Sequence, residues 1–564
     1  MIGRLLPDWL RQYRRPQLGG DLVAALVVTM LLVPQGLAYA ALAGLPPQLG
    51  LYASLLPLVA YALFGSSMVM SVGPVAVASL MTAAALAPIA EAGSPEYIAA
   101  AILLALLSGV MLFAFGLLKL GALAQFLSHP VVSGFVSGAA LLIIIGQLRP
   151  LLGIDVSGDS AIALLARLVS SIGNLQPLTA GIGIGALALL WLAKQYLARL
   201  LGKLRMPAET AGLLAKLAPM VVVLASAALV GAMGWNGDLR VVGELPAGLP
   251  SMVVPSIDLG LIGQLWLPAL VIGLIGFVES VSIAQAFASK HRQRIDANAE
   301  LRGLGAANIV SAFSGAFPVT GGFSRTAVNA EAGARTPLAG VFAAILIAVV
   351  LVFATGVFRH LPMAVLAATI IIAAIGLVDI KTLKHTWHYD RAEGVALLGT
   401  LLGVLLAGVE AGIAIGIALS LATLIWRASR PHIAQVGRVA GTEHFRNINR
   451  YQVETRPELV MLRVDENLFF GNAESVEKAL LEALATNPDS QHLVLLMSSV
   501  SSIDATALEM LDQLNQRLID QGMQLHFAEV KGPVMEQLEN DGFEKRLGGG
   551  IFLSANEAFE VLGG

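Results

Sequence analysis

Apolar stretches of membrane-crossing length follow one another from about residue 20 to residue 428, since about 20 apolar residues form one helical span. Three shorter segments at 73–90, 303–316 and 322–333 are interrupted or bordered by Gly and Pro. The complete pattern predicts fourteen spans, the remaining eleven lying at 22–43, 50–65, 98–118, 124–146, 179–198, 217–234, 266–288, 337–358, 362–378, 393–408 and 411–426.

The hydrophobic pattern changes after about Arg430. Short β-rich runs at 459–464, 493–496 and 525–528 alternate with helical periodicity at 473–485 and 507–521, which is typical of an α/β domain. We therefore predict a cytoplasmic N-terminal segment at 1–19, an all-α transmembrane domain at 20–430, a linker at 431–450 and a cytoplasmic α/β domain at 451–564.

The distribution of basic residues predicts the orientation in the membrane. With fourteen spans, Arg149, Arg167, Arg240 and Arg359 fall on the outer side, and Arg325 falls inside the membrane. The other twenty Lys and Arg residues up to Arg430 fall on the inner side, as expected for cytoplasmic loops. Both termini are therefore predicted to be cytoplasmic. The basic N-terminal segment precedes an apolar run that is too long for a signal peptide and leads directly into further spans.

The composition supports a membrane protein and excludes several other classes. Of 564 residues, 56% are hydrophobic and 13% are charged, whereas soluble domains have about 25% charged residues. The net charge of −3 provides no field for nucleic acid binding. The absence of cysteine excludes disulfides and thiolate metal sites. No P-loop motif is present, and we expect no cofactor, no metal site and no enzymatic activity.

Two of the interrupted segments occupy corresponding positions, as the third span of each predicted half. The first opens at 71–74 (SVGP) and the second at 317–322 (FPVTGG). Paired broken helices are a sequence pointer to a transporter binding site, because their N-termini offer N–H groups and positive dipole ends to an anion. The alternative is that Gly and Pro only kink packed helices.

Several motifs together resemble the sulfate permease (SulP) family of anion transporters. They are 33–40 (VPQGLAYA), 46–54 (PPQLGLYAS), 65–67 (GSS), 71–74 (SVGP) and 317–329 (FPVTGGFSRTAVN), and 503–508 (IDATAL) is similar to the signature turn of the STAS domain. The resemblance implies two inverted seven-span repeats, a core domain that moves against a gate domain, and dimers with cytoplasmic STAS domains. The chain departs from the family at Leu49 and Met68, where an aromatic and a basic residue are usual, so the anion itself stays open.

Arg325 is the most informative polar residue of the predicted spans. A guanidinium in the membrane is costly unless it faces protein or water, and Arg325 lies in the first turn after Gly322. The alternatives are a pair with a carboxylate such as Glu331 or a reach to the interface. The resemblance implies that an anion site is bordered by residues from three segments, namely Gln35, Tyr39, Val75, Ala76, Phe323, Ser324 and Arg325.

Glu279 is the one carboxylate in the apolar run 265–287. A carboxyl group in an apolar environment favours its neutral form, so Glu279 can carry a proton. Ser280 and Ser282 are adjacent hydroxyls, so sodium coordination by this group is the alternative, and a structural glutamate between helices is a further one. In the family, an acidic residue here is found in proton-coupled or cation-coupled members.

These features predict a secondary active transporter in a bacterial-type inner membrane. It would import a small anion with protons by an elevator-like movement, with sulfate the preferred class, and form a homodimer in the lipid bilayer. Sodium-coupled bicarbonate transport and proton-coupled dicarboxylate transport are alternatives, and a non-transporting membrane sensor that signals through its STAS domain is another. The STAS domain itself has two interpretations, a module regulated by phosphorylation of Thr506 or one for dimerisation and stability.

Overall fold

In a computed structural model of the chain, residues 7–11, 13–122, 128–156, 161–290 and 294–563 are described. The chain divides into two compact units, Met1–Ser420 and Leu421–Gly564. The first unit is helical apart from one short pair of strands, and the second contains a six-stranded sheet.

The helices of the first unit follow the predicted apolar segments. They are α1 (Asp8–Arg11), α2 (Arg15–Leu42), α3 (Gln48–Tyr52), α4 (Leu56–Phe64), α5 (Ala76–Leu86), α6 (Pro95–Leu117), α7 (His129–Leu152), α8 (Ala161–Ser170), α9 (Pro177–Leu192), α10 (Ala198–Lys203), α11 (Ala208–Lys216), α12 (Ala218–Met233), α13 (Leu259–Lys290), α14 (Ala297–Phe313), α15 (Phe323–Glu331), α16 (Leu338–Phe353), α17 (Met363–Ile375), α18 (Ile380–Tyr389), α19 (Arg391–Ala407) and α20 (Val409–Ala428), the last of which continues into the second unit.

Every predicted apolar segment overlaps one of these helices. Among the described residues, seven helices are long and apolar enough to cross a membrane, or up to eight if a bent pair counts as one span. Shorter apolar helical segments occur at Gln48–Phe64, which comprises α3 and α4, and at Ala76–Leu86, Ala161–Ser170 and Leu338–Phe353. The chain therefore has a helical membrane domain, while the count of fourteen spans and the inverted repeats stay predictions.

The membrane helices pack in two groups. In the first group, α14 packs against α4 and α6, α13 packs against α5 and α6, and α2 packs against α5, α15 and α16. In the second group, α7 packs against α17 and α19, and α9 packs against α17. The groups meet where α2 packs against α17 and α5 packs against α7. Glycine permits the closest approach within the first group, since a Cβ atom on Gly50 would lie 1.8 Å from the carbonyl oxygen of Gly36.

The second unit is an α/β fold. Its sheet has the order β4-β3-β5-β6-β7-β8, in which β5 to β8 are parallel and β3 is antiparallel to both of its neighbours. The strands are β3 (Ile433–Arg438), β4 (Phe445–Asn447), β5 (Leu459–Val464), β6 (His492–Leu496), β7 (Gln524–Ala528) and β8 (Ile551–Phe552). The helices are α21 (Ala473–Thr486), α22 (Ala505–Asp520), α23 (Gly532–Asp541), α24 (Phe543–Arg546) and α25 (Ala555–Leu562).

Alternation along the strands buries both faces of this sheet. Leu493 and Leu495 of β6 contribute to the core shared with α21, α22 and α23, whereas Val494 and Leu496 contribute to the core shared with α25. The β-rich runs and helical segments predicted for this domain agree with the observed elements within a few residues. The predicted linker 431–450 contains β3 and β4, because Ala434 and Val436 alternate into the α25 core.

Candidate functional site

The two predicted breaks meet in a short antiparallel pair of strands. β1 (Val72–Gly73) pairs with β2 (Thr320–Gly321), with Val72 opposite Gly321 and Gly73 opposite Thr320. α5 begins three residues after β1, and α15 begins two residues after β2. Neither helix has a side-chain cap at its start, so both present N-terminal N–H groups and positive dipole ends beside the strand pair.

Hydrogen bonds fasten α15 along the segment that contains β1. Asn329 Nδ2 donates to the carbonyl oxygen of Val69 at 2.8 Å, and the backbone N–H of Ser71 donates to Thr326 Oγ1 at 3.1 Å. The Gly322 N–H donates to the Ser71 carbonyl oxygen at 3.0 Å. The start of α15 is therefore held against a segment from the other half of the membrane domain.

Arg325 lies at the centre of this arrangement and is 2% exposed. Its Nη1 donates to the carbonyl oxygen of Pro74 at 2.7 Å and, at a longer 3.4 Å, to Gln35 Oε1. Its Nε and Nη2 atoms have no hydrogen-bond partner among the described residues. Glu331 instead pairs with Lys216. Since buried donors are nearly always satisfied, these two nitrogens are an exception that calls for an explanation.

Glycine makes room for this guanidinium. A Cβ atom on Gly322 would lie 2.6 Å from Arg325 Nη2, closer than two such heavy atoms can approach. Gly322 therefore leaves the space that Arg325 occupies.

The other predicted binding residues lie on the elements around Arg325. Gln35 and Tyr39 are four residues apart on α2 and so share one helical face. Tyr39 is 6% exposed and lies near Arg325. Val75 and Ala76 are buried where α5 begins.

Phe323 and Ser324 precede Arg325 on α15 but are exposed. The Phe323 ring lies 6.1 Å from the ring of Phe287 on α13. The first turn of α15 therefore has a buried side with Arg325 and an exposed side with these two residues.

The three predicted coupling residues of α13 do not form one cluster. Glu279 is partly exposed and interacts electrostatically with Arg325. Ser280 is fully buried, accepts a hydrogen bond from the Gly321 N–H at 3.0 Å and lies 2.9 Å from Thr320 Oγ1. Ser282 is exposed and donates to the Val278 carbonyl oxygen. The Ser280 hydroxyl thus holds β2 in place, while Ser282 lies elsewhere on the helix.

Sequence reasoning missed Thr320 and Asn329. Thr320 Oγ1 donates to the Gly276 carbonyl oxygen at 2.8 Å and so joins β2 to α13, and Asn329 joins α15 to Val69. The sequence does contain a signal for these two residues, because a polar side chain beside a Gly-rich break in an apolar segment needs a hydrogen-bond partner. Their acceptors are backbone atoms of distant segments, which a single sequence does not identify.

The fold and the site define a class of protein, a helical membrane protein in which two broken helices share a buried arginine, followed by an α/β domain. Residues 18–400 match the sulfate permease family, and residues 450–558 match the STAS domain. The chain therefore belongs to the sulfate permease family, a family of anion transporters, and carries a C-terminal STAS domain.

Related sequences extend over nearly the whole chain. A probable sulfate transporter of Mycobacterium tuberculosis (strain CDC 1551 / Oshkosh) is 36% identical over 541 residues, which cover 95% of this chain and 94% of that protein. The chloroplastic sulfate transporter 4.1 of Arabidopsis thaliana is 34% identical over 570 residues, which cover 98% of this chain and 81% of that protein.

Solved structures share the fold. The murine solute carrier 26 family member A9 anion transporter, in its inward-facing state, matches with a TM-score of 0.89 at 23% identity, covering 100% of this chain and 94% of that one. The transmembrane domain of a cyanobacterium bicarbonate transporter, BicA, matches with a TM-score of 0.59 at 23% identity, covering 72% of this chain and 98% of that one.

Proposed function

We propose that this protein is a secondary active transporter that imports a small oxyanion, with sulfate as its preferred substrate, together with protons. The observation that carries the proposal is the buried guanidinium of Arg325, two nitrogens of which have no hydrogen-bond partner in the described part of the chain, at the point where α5 and α15 begin. Charge-assisted hydrogen bonds contribute about 1.5–3 kcal/mol each, so a dianion that accepts from both nitrogens would be held firmly.

The rest of the proposed site complements this charge. Gln35 and Tyr39 approach from α2, and the starts of α5 and α15 add backbone N–H groups. Val75, Ala76 and Phe323 provide apolar contacts, and Ser324 a hydroxyl. Similarity to annotated sulfate transporters over most of the chain favours sulfate over bicarbonate or dicarboxylates.

Protons are the proposed coupling ion, and Glu279 is the proposed carrier. Glu279 interacts with Arg325, so its charge and the charge of a bound anion affect the same guanidinium. Sodium is less favoured, because Ser280 Oγ is buried against β2 and accepts from the Gly321 N–H, whereas Ser282 is exposed, so the two hydroxyls lie in different environments.

The proposed movement follows from the two packing groups. The first group contains α5 and α15 with the site between them, so an elevator-like displacement of this group against the α7, α9, α17 and α19 group would carry a bound anion across. In this proposal the protein is a homodimer in a bacterial-type inner membrane, with both termini and the STAS domain in the cytoplasm.

Uptake into proteoliposomes tests the proposal. The purified protein is reconstituted, and uptake of labelled sulfate, bicarbonate and succinate is measured with an inward proton gradient, an inward sodium gradient or neither. We expect accumulation of sulfate driven by the proton gradient. Accumulation of bicarbonate with sodium or of succinate with protons would replace the substrate or coupling assignment, and the absence of any flux would favour a membrane sensor.

A further inference from the structure

A charged cavity lies beside the C-terminal end of α2, beyond Gln35 and Tyr39 on the same helical face. It has a volume of about 380 Å³ and is lined by Leu42 of α2, Arg149 of α7, Thr179 of α9, Met363 of α17, and Asp155 and Arg240 of the connecting segments. All of these residues belong to the first unit. By the orientation that the charge distribution predicts, the cavity opens to the outer side.

The charges of this cavity are arranged around one carboxylate. Asp155 Oδ2 lies 3.1 Å from Arg240 Nη2, and Asp155 Oδ1 lies 3.8 Å from Arg149 Nη2. Among the described residues that line the cavity, two guanidinium groups therefore share one carboxylate, which is an excess of one positive charge. Arg149 Nε is buried and has no hydrogen-bond partner among the described residues, so part of the donor capacity of this arginine is unused.

Backbone contacts fix the positions of both arginines in the chain, while the side chains of Arg149 and Arg240 are 38% and 78% exposed. α7 ends at Gly153, whose φ of 69° is the left-handed conformation that glycine adopts at helix ends, and Arg149 lies in its last turn. Arg240 is held where the chain pairs with the start of α17: its carbonyl oxygen accepts from the Met363 N–H at 2.9 Å, and the Val242 N–H donates to the Leu361 carbonyl oxygen at 2.8 Å.

We propose that this cavity is an outer capture site for small oxyanions, in which Arg149 and Arg240 hold the incoming anion before it moves to Arg325. This inference rests on the proposed import function. Asp155 forms ion pairs with the two arginines when no anion is bound, and so it competes with an incoming anion for their guanidinium groups. An incoming dianion displaces this carboxylate from one or both guanidinium groups.

Helical periodicity places residues of the two sites along one face of α2. Gln35, Tyr39 and Leu42 follow one another at spacings of four and three residues, so they share one face of α2. Gln35 lies within hydrogen-bond distance of Arg325, and Leu42 lines the outer cavity. The outer cavity lies between α2 of the first packing group and α7, α9 and α17 of the second, so relative movement of the groups would change its width.

The test compares the kinetics of sulfate uptake from the outer side with the kinetics of sulfate efflux from the inner side. Right-side-out membrane vesicles are used to measure the KM and maximal rate for uptake of labelled sulfate, and the same vesicles loaded with sulfate are used to measure efflux into anion-free medium. Arg240→Gln and Arg149→Gln should each raise the uptake KM about three- to tenfold with little change in maximal rate, since charges along an access route act mainly on capture. Initial efflux should be unchanged.

Asp155→Asn provides a test with the opposite sign. It removes the competing carboxylate and should lower the uptake KM, an outcome that a loss of folding does not produce. Arg359→Gln is the matched control, because Arg359 is an arginine on the predicted outer side that pairs with Glu244 and does not line the cavity. It should leave the uptake KM unchanged.

Failure of this inference differs from failure of the proposed transport site. If wild-type uptake requires Arg325 but the Arg149, Arg240 and Asp155 variants keep the wild-type KM, the outer capture site is wrong and the transport site stands. If the Arg240 and Arg149 variants slow uptake and efflux equally, the cavity is structural and the inference is also overturned. If sulfate is not transported by the wild type, the proposed function itself fails.

Discussion

Arg325 of α15 donates a 2.7 Å hydrogen bond from Nη1 to the carbonyl oxygen of Pro74, which lies just ahead of α5. This bond joins the two broken helices beside the β1–β2 pair. The proposed joint movement of α5 and α15 requires such a link between the starts of the two helices.

Glu279→Gln is expected to separate exchange from coupling. The amide imitates the neutral carboxyl group, so the variant should retain exchange of labelled anion for unlabelled anion but lose accumulation driven by a pH gradient. Both activities are measured in the same vesicles. Glu331→Gln is the control, because Glu331 is an exposed carboxylate of α15 paired with Lys216. If Glu279→Gln accumulates anion like the wild type, Glu279 is not the coupling residue.

The orientation of the STAS domain can be tested with one introduced thiol. The chain has no cysteine, and Leu553 is 90% exposed, so Leu553→Cys creates a single accessible site. A membrane-impermeant maleimide should label it in inside-out vesicles and leave it unlabelled in right-side-out vesicles, because the basic residues predict a cytoplasmic C-terminus. The reverse result would require an odd number of spans or an inverted orientation.

The STAS domain should lose stability in mild acid through His526. This side chain is 3% exposed, its Nδ1 accepts from the Gly550 N–H at 2.9 Å, and its Nε2 lies 3.1 Å from His492 Nδ1. Burial, with a further contribution from His492, lowers the pKa of His526 from 6.5 to about 4. Between these values the unfolded state binds more protons, so the stabilising contribution is present above about pH 6.5 and is lost as the pH falls towards 4.

Hydrogen exchange of the full-length protein measures this effect. Lowering the pH from about 7.5 to about 5 should reduce the opening free energy of β6 and β7 by about 2 kcal/mol, after correction for intrinsic exchange rates. His526→Asn should remove most of this pH dependence, whereas His444→Asn, at an exposed histidine of the same unit, should retain it. An equal response in the two variants would exclude His526 as the origin.

The sequence predicts elements where local pattern decides the structure. The residues of β5, β6 and β7 alternate into two apolar cores, and the breaks before α5 and α15 follow from Gly and Pro, so these features could be located in advance. β3 and β4 were missed because they are short and their register depends on β5. Such pairing is decided by contacts between distant segments rather than by local periodicity.

The candidate site, too, could be predicted only where local sequence decides the structure. An arginine inside an apolar segment must have a partner or a function, so Arg325 could be singled out from sequence. Its acceptor at Pro74 could not, because a carbonyl oxygen has no sequence signature. The hydrogen bonds of Ser280 with Gly321 and Thr320 were likewise not predictable, and they separate this serine from the group that sequence proximity to Glu279 and Ser282 suggested.

Buried polar groups outside the site were also not predicted. Glu300 of α14 is fully buried and accepts hydrogen bonds from Tyr61 and from the N–H groups of Ser66 and Ser67. Asp21 of α2 is fully buried as well and accepts from the N–H and hydroxyl groups of Thr336. Each carboxylate fastens a helix to a distant loop, and the sequence alone does not reveal which loop supplies its donors.

The central claim is that Arg325 binds the transported anion, and sulfate flux in proteoliposomes with matched arginine variants tests it most directly. Arg325→Ala should reduce labelled sulfate uptake to near background, and Arg325→Lys should recover a small part, because an ammonium group keeps the charge but lacks the planar fork. Arg335→Ala, at an exposed arginine of the following loop, should transport like the wild type. Monodisperse elution of every variant verifies folding. A folded Arg325→Ala protein with wild-type sulfate KM and maximal rate would contradict the account.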